Sequence, residues 1–195
     1  MSAKIQDRDL KVINFIEKVG VATTNQIYQM FFSNRTDRVC YRRLNRLVQE
    51  KKLKRFRENQ ISEYKYYIKK KPVNIRHGVL RTEFYVQLSK LFNIKHFKKE
   101  FEINNIRSDA LFGIENKKTQ KKFLLFLEVE ISNNNLKKKL KKYEGLKISK
   151  KYKGKLPVFP ILIILSNKQK IDTKLNYIQI KTDFSNMKDL YFQFR

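Results

Sequence analysis

The sequence predicts a mixed chain: an α+β part over residues 1–71, then an α/β part over residues 72–195. Two observations predict it. The first ~70 residues read as helix, helix, helix and hairpin, in segments set by apolar spacing. Beyond Lys69-Lys70-Lys71-Pro72, β-prone runs alternate with helical stretches, the pattern of a sheet with crossover helices. Only 5 Gly and 3 Pro among 195 residues, with 41% hydrophobic residues, exclude a fibrous or disordered class.

The elements follow in order. Asp7 or Asp9 can cap a helix running to about Val19, with Val12, Phe15, Ile16 and Val19 on one stripe, and Gly20 ends it. Thr23 and Thr24 precede a short second helix over 25–32. Ser33-Asn34 turns the chain into a basic third helix. Cys40, Leu44, Leu47 and Val48 share one face of it at helical spacing, while Arg35, Arg38, Arg42 and Arg46 fall opposite. Leu53–Arg57 and Ser62–Ile68 flank the polar Glu58-Asn59-Gln60 as a hairpin. Three helices and a hairpin in this order read as a winged helix-turn-helix whose third helix reads DNA. In the second part, a helix is expected over about 78–92. Strands follow at 94–103, 108–115, 122–132, 159–166 and 176–181, with a basic helix from Asn135 to about Ser149.

Charge points the same way. Lys plus Arg number 45 against 18 acids, a formal net charge of +27. Self-repulsion of that size disfavours the compact state, so a polyanionic partner is the expected reason for keeping it. A Lys-, Asn- and Ile-rich composition from codon bias explains part of the lysine excess but not arginine on one helix face. Residues 1–71 hold 18 basic and 7 acidic residues, and residues 78–195 hold 26 and 11, so both parts are basic. Duplex DNA is the expected partner, through Asn34, Arg35, Arg38, Arg42 and Arg46 at the third helix and Lys54, Arg55, Arg57 and Lys65 in the wing. Lys138 and Lys142 would add backbone contacts in the second part.

Other function classes are excluded or weakened. No Gly-rich phosphate loop and no GxGxxG occurs, which argues against a nucleotide-driven motor. Two histidines, His77 and His96, make a His-based zinc site improbable. Tyr64, Tyr66 and Tyr67 lack the His-hydrophobe-His motif that a rolling-circle nucleophile needs, and read as wing and core aromatics. The single Cys40 lies on the apolar stripe as a small core residue, which fits a reducing cytoplasm. Met1-Ser2-Ala3-Lys4 shows no leader pattern, and the longest apolar run, Val158–Leu165, contains Pro160 and is too short to span a bilayer. A soluble, cytoplasmic protein is expected, with a homodimer as one option.

Three acids stand where metal-dependent phosphodiester chemistry would want them: Glu83 in the helix before the sheet, Asp109 in a strand start, and Glu128 near a strand end. Carboxylates on neighbouring strand ends can hold Mg²⁺, with Asp109 and Glu128 as the expected metal ligands. The order helix-Glu, strand, strand-Asp, strand-Glu-x-residue, helix resembles the PD-(D/E)xK nuclease fold. The nuclease motif expects Lys two residues after the second strand acid; here that residue is Glu130, an extra ligand or the mark of a site that no longer cleaves. Glu130 shares the face of Glu128 by strand alternation, so all four carboxylates are expected in one cleft, balanced by Lys138 or Lys142 and poor at cutting DNA.

From about Asp7 to Tyr143 the chain is similar to the replication-relaxation family. The resemblance rests on the basic winged helix, His77 with Arg81-Thr82-Glu83-Phe84, Arg107-Ser108-Asp109-Ala110, Phe126-Leu127-Glu128-Val129-Glu130, and Lys138…Lys142-Tyr143. It implies sequence-specific duplex binding in replication initiation or control on a plasmid or other mobile element, in company with other replication proteins. The rival readings are a transcriptional or partition-site regulator and an active metal-dependent endonuclease.

Overall fold

The computed structural model describes residues 6–131 and 136–194. The expected start of the basic helix at Asn135, the end of the third strand at 132, and the Met1–Lys4 segment lie outside the described residues. The chain forms two compact units that divide between Val86 and Gln87. Among the described residues no helix is long and apolar enough to cross a membrane.

The N-terminal unit opens with α1, Asp7–Val19. Its N-cap is Gln6, not Asp7 or Asp9. Asp9 acts from the first turn, where its carboxylate accepts the Gln6 backbone N–H at 3.0 Å. Gly20 ends the helix at φ 91°, a left-handed-region backbone that a Cβ would strain. Strand β1, Ala22–Thr23, leads into α2, Thr24–Phe31. Thr23 and Gln26 bond reciprocally: Thr23 Oγ1 accepts the Gln26 N–H at 3.2 Å, and Gln26 Oε1 accepts the Thr23 N–H at 3.0 Å. Helix α3 spans Asp37–Gln49, with Thr36 in extended backbone at its N-cap position. Strands β2, Lys54–Phe56, and β3, Lys65–Tyr67, form the expected hairpin, and β1 adds to β3, giving the order β1-β3-β2. Val12, Ile16, Ile27, Cys40, Leu44, Leu47 and Tyr66 are buried together in this unit.

Helix α4, Ile75–Leu91, starts earlier than its periodicity indicates. Its first turns are bonded into the N-terminal unit, which moves the boundary from the expected 71/72. Arg81 Nη2 donates to Val19 O at 3.0 Å, Thr82 Oγ1 to Val21 O at 2.7 Å, and Gln26 Nε2 to Val79 O at 2.9 Å. Gly78 lets the helix approach, because a Cβ there would lie 2.7 Å from Val21 Cγ1.

The C-terminal unit is a five-stranded sheet in the order β4-β5-β6-β7-β8. Strands β4 (Phe92–Ile103), β5 (Ile106–Asn116) and β6 (Lys122–Val129) form an antiparallel meander. Asn104 and Asn105 join the first two with φ of 43° and 61°, the backbone of a tight hairpin turn that Asn tolerates. Helix α5, Leu136–Ile148, then crosses over, so that β7 (Ile161–Leu165) lies parallel to β6 and β8 (Tyr177–Ile180) parallel to β7. Leu140, Tyr143 and Leu146 of α5 are buried with Leu111 and Phe126 of the meander and Leu162 and Ile164 of β7. A short helix α6, Lys188–Gln193, closes the chain and has no counterpart in the expected elements.

Candidate functional site

Two groups of charged residues stand out, one in each unit. In the N-terminal unit, α3 buries Cys40, Leu44 and Leu47 and half-buries Val48, as its spacing requires. Arg38, Arg42 and Asn45 are exposed along the opposite side. Asn34 and Arg35 are also exposed, but lie in the turn before the helix, where Tyr28 Oη donates to Arg35 O at 3.0 Å. Arg46 is drawn to Glu50 at 2.7 Å, an i,i+4 pair on the helix itself. Arg43 turns inward to the buried Asp9, and its Nε donates to Asp9 Oδ1 at 3.1 Å. Burial, with Asp37 and Glu63 nearby, pushes the Cys40 thiol up to about 12, so it stays protonated at neutral pH.

The hairpin sorts its cations by strand parity. Arg55 pairs with Tyr66 and Phe56 with Lys65, so the register carries Arg57 opposite Tyr64. Arg55, Arg57, Tyr64 and Tyr66 therefore share one face, and Lys54, Phe56, Lys65 and Tyr67 the other. On the first face the Arg55 guanidinium lies 4.2 Å from the Tyr64 ring centre and that of Arg57 5.2 Å from it. Arg55 also donates through Nη1 to Asn45 Oδ1 of α3. On the second face Lys54 Nζ donates to Lys69 O at 3.1 Å, and Lys65 pairs with Glu58 at 3.3 Å.

In the C-terminal unit, the register Ala110–Leu127 puts Asp109 of β5 opposite Glu128 of β6, one step along. The Val129 N–H donates to Asp109 Oδ2 at 2.7 Å. Glu128 is buried, and each of its oxygens is engaged: Oε2 by Lys139 Nζ and Oε1 by the Tyr143 hydroxyl. Burial, reinforced by Asp109, raises its pKa to about 7 against the opposing pull of Lys139 and Tyr143. Burial and the Glu128 charge push the Tyr143 phenol up, so Tyr143 is the donor. Glu130, just beyond β6, pairs with Lys168 at 3.1 Å.

The lysine that reaches Glu128 is thus Lys139. Leu140, Tyr143 and Leu146 set the buried side of α5, and Lys139 sits one turn from Tyr143, on the flank of that side. Lys138 and Lys142 are about 100° further round for each residue step and are exposed. Glu83 belongs to the N-terminal unit, where its Oε2 accepts Gln26 Nε2 at 2.9 Å. Among the described residues no group of three or more His, Cys, Asp or Glu side chains is placed to hold a metal ion. Asp109 Oδ2, both oxygens of Glu128 and Glu130 Oε1 are engaged by protein donors. Sequence reasoning missed Lys139, Lys168, Asn45 and Tyr64 as members of these groups; the spacing 139/143 and the parity of 55, 57 and 64 were the available signals.

The fold and these two groups define a mixed α/β chain with an arginine-lined N-terminal helix and an acid–lysine cluster in its sheet unit. Residues 13–72 match the replication-relaxation family, which supports that resemblance over most of the N-terminal unit. No curated protein and no solved structure matches the chain.

Proposed function

We propose that this chain is a sequence-specific DNA-binding protein acting in replication initiation or control on a plasmid or other mobile element. The N-terminal unit would serve as a winged helix-turn-helix, with α3 in the major groove and the β2–β3 hairpin as its wing. The order α1-β1-α2-α3-β2-β3, with the sheet order β1-β3-β2, supports this reading. The observation that carries it is the solvent face of α3. Arg38, Arg42 and Asn45 stand one turn apart on a helix held from behind by its buried stripe, a shape and chemistry suited to base edges and phosphates. The match over residues 13–72 supports the link to replication.

The C-terminal unit would carry a nuclease-like fold that adds backbone contacts through exposed lysines of α5, including Lys138 and Lys142. The antiparallel meander, helical crossover and parallel strand support that assignment, and Asp109 facing Glu128 favours a second reading as a metal-dependent endonuclease. The Lys139 ammonium and the Tyr143 hydroxyl on Glu128 argue for a site that does not cut.

The test is to incubate the full chain with supercoiled plasmid carrying its own origin region, with and without Mg²⁺ or Mn²⁺. Footprinting locates binding and gel mobility reports nicking. A discrete footprint without nicking is the expected result. Uniform protection would remove sequence specificity, and nicking that disappears in Asp109→Ala would establish the endonuclease reading.

A further inference from the structure

The hairpin holds four cations, and strand parity divides them into two unlike pairs. Lys54 and Lys65 lie on the face away from α3, bonded to the Lys69 carbonyl and to Glu58. Arg55 and Arg57 lie instead on the face that meets α3, with Tyr64 on the same face, opposite Arg57 in the register. Both guanidinium groups fall within cation–π range of that one ring, at 4.2 and 5.2 Å. Arg57 is fixed further by donating Nη1 to Gln60 O at 2.7 Å, and Arg55 by its bond to Asn45. Tyr64 is itself anchored through its backbone, whose carbonyl accepts the Thr24 N–H at 3.1 Å. A long arginine in solution samples many rotamers, and ordering it on binding opposes affinity. A ring that pre-orders two of them lowers that cost without touching the nucleic acid.

We infer that Tyr64 is a positioning residue for DNA binding. Its ring holds Arg55 and Arg57 as a preformed fork beside the exposed face of α3, and this arginine pair, rather than Lys54 and Lys65, is the wing's main grip on the phosphate backbone. Asn45 ties the fork to the helix, so the wing and α3 engage the duplex as one surface. The inference rests on the DNA-binding reading above.

The experiment measures fluorescence anisotropy of a labelled mixed-sequence duplex against the full chain, across a potassium chloride series. Six proteins are compared: parent, Tyr64→Phe, Tyr64→Leu, Arg55→Ala/Arg57→Ala, the triple variant combining Tyr64→Leu with both arginine changes, and Arg38→Ala/Arg42→Ala. Tyr64→Leu is expected to weaken binding about three- to tenfold, the equivalent of losing two modest cation–π contacts. Tyr64→Phe, which keeps the ring, should bind like the parent. The double arginine variant should lower the salt dependence by about two units of log–log slope, one per lost phosphate contact. The triple variant should bind no more weakly than the double, because the ring acts only through the arginines.

Parent-like binding by Tyr64→Leu overturns the inference, as does a further loss in the triple variant or an equal loss in Tyr64→Phe. Should Tyr64→Leu fail to melt cooperatively, the double arginine variant decides, and an unchanged affinity and slope there overturns the assignment. A parent that binds no duplex overturns both this inference and the reading beneath it. Weakened binding in Arg38→Ala/Arg42→Ala together with none in the Tyr64 and Arg55/Arg57 variants overturns this inference alone.

Discussion

In the N-terminal unit, Arg38 and Arg42 are exposed on a helix whose other side is buried, and Arg35 is exposed in the turn before it. In the C-terminal unit, Glu128 and Glu130 are each answered by a cation from another element, Lys139 and Lys168, and Asp109 by a backbone N–H. The two units solve the placement of charge in opposite ways. Exposed cations leave a field that a polyanion can satisfy. The buried Glu128, closed on Lys139 and Tyr143, instead ties the sheet to α5. Net charge alone, basic in both halves, does not distinguish these arrangements; the partners of each side chain do.

The contrast can be broken most severely by cutting the chain. A fragment of residues 1–71 lacks the α4 bonds to Val19, Val21 and Gln26 and is expected to lose cooperative melting by circular dichroism, whereas residues 1–86 should keep it. Equal melting of the two fragments would mean that α4 is no part of the N-terminal unit's stability.

Next in size is the loss of the open arginines. Arg38→Ala/Arg42→Ala should weaken cognate duplex binding by about 1–3 kcal/mol for each base-reading contact removed, with little change in melting temperature. Footprinting or anisotropy at physiological salt reads this. A fall in stability with unchanged affinity would assign those arginines a structural role instead.

The closed cluster is sharpened by pH. Glu128 has a folded-state pKa above its unfolded value, so the folded chain binds the extra proton. Its favourable contribution is complete below the ordinary carboxylate range and is lost as pH rises towards about 7. Denaturant titrations should therefore show stability declining through that window, by up to about 3 kcal/mol from this one group. Glu128→Gln should flatten the decline. Lys139→Met should steepen it and lower stability at pH 8 by about 2 kcal/mol, because a buried carboxylate then loses its cation. A flat profile in the parent would show that Glu128 is ionised throughout.

The smallest expected effect is an absent one. Millimolar Mg²⁺ should leave the parent's melting temperature unchanged, since a ligand stabilises only by binding the folded state. A rise that Asp109→Ala abolishes would show that the cluster opens to a cation after all.

Much of this architecture was legible because local signals were strong. The stripe Val12, Phe15, Ile16, Val19 with Gly20 behind it defines α1, and alternating apolar runs give all five strands of the sheet to within a few residues. The division between units was not legible. Periodicity shows that 78–92 is helical but not which neighbour its first turns bond, and that depends on Gly78 meeting Val21 and on Thr82 meeting a carbonyl 61 residues away. The carboxylate group was half legible. Strand order brings Asp109 to Glu128, but a run of lysines on α5 offers several candidates, and only the helical angle measured from Tyr143 selects Lys139. The helix α6 carries too little apolar periodicity in six residues to stand out.

The hairpin's parity carries a consequence for how this chain can change in length. Leu53 is fixed in the core and Lys54 begins β2, so one residue inserted between them would turn the strand over. Lys54 and Phe56 would then face α3 while Arg55 and Arg57 faced away, with composition almost unaltered. The exposed Glu58–Ile61 turn can absorb added residues without that inversion, since neither strand shifts against the other. Insertions tolerated at the tip of this hairpin and refused at its root would be the signature of a surface read by alternation rather than by charge count.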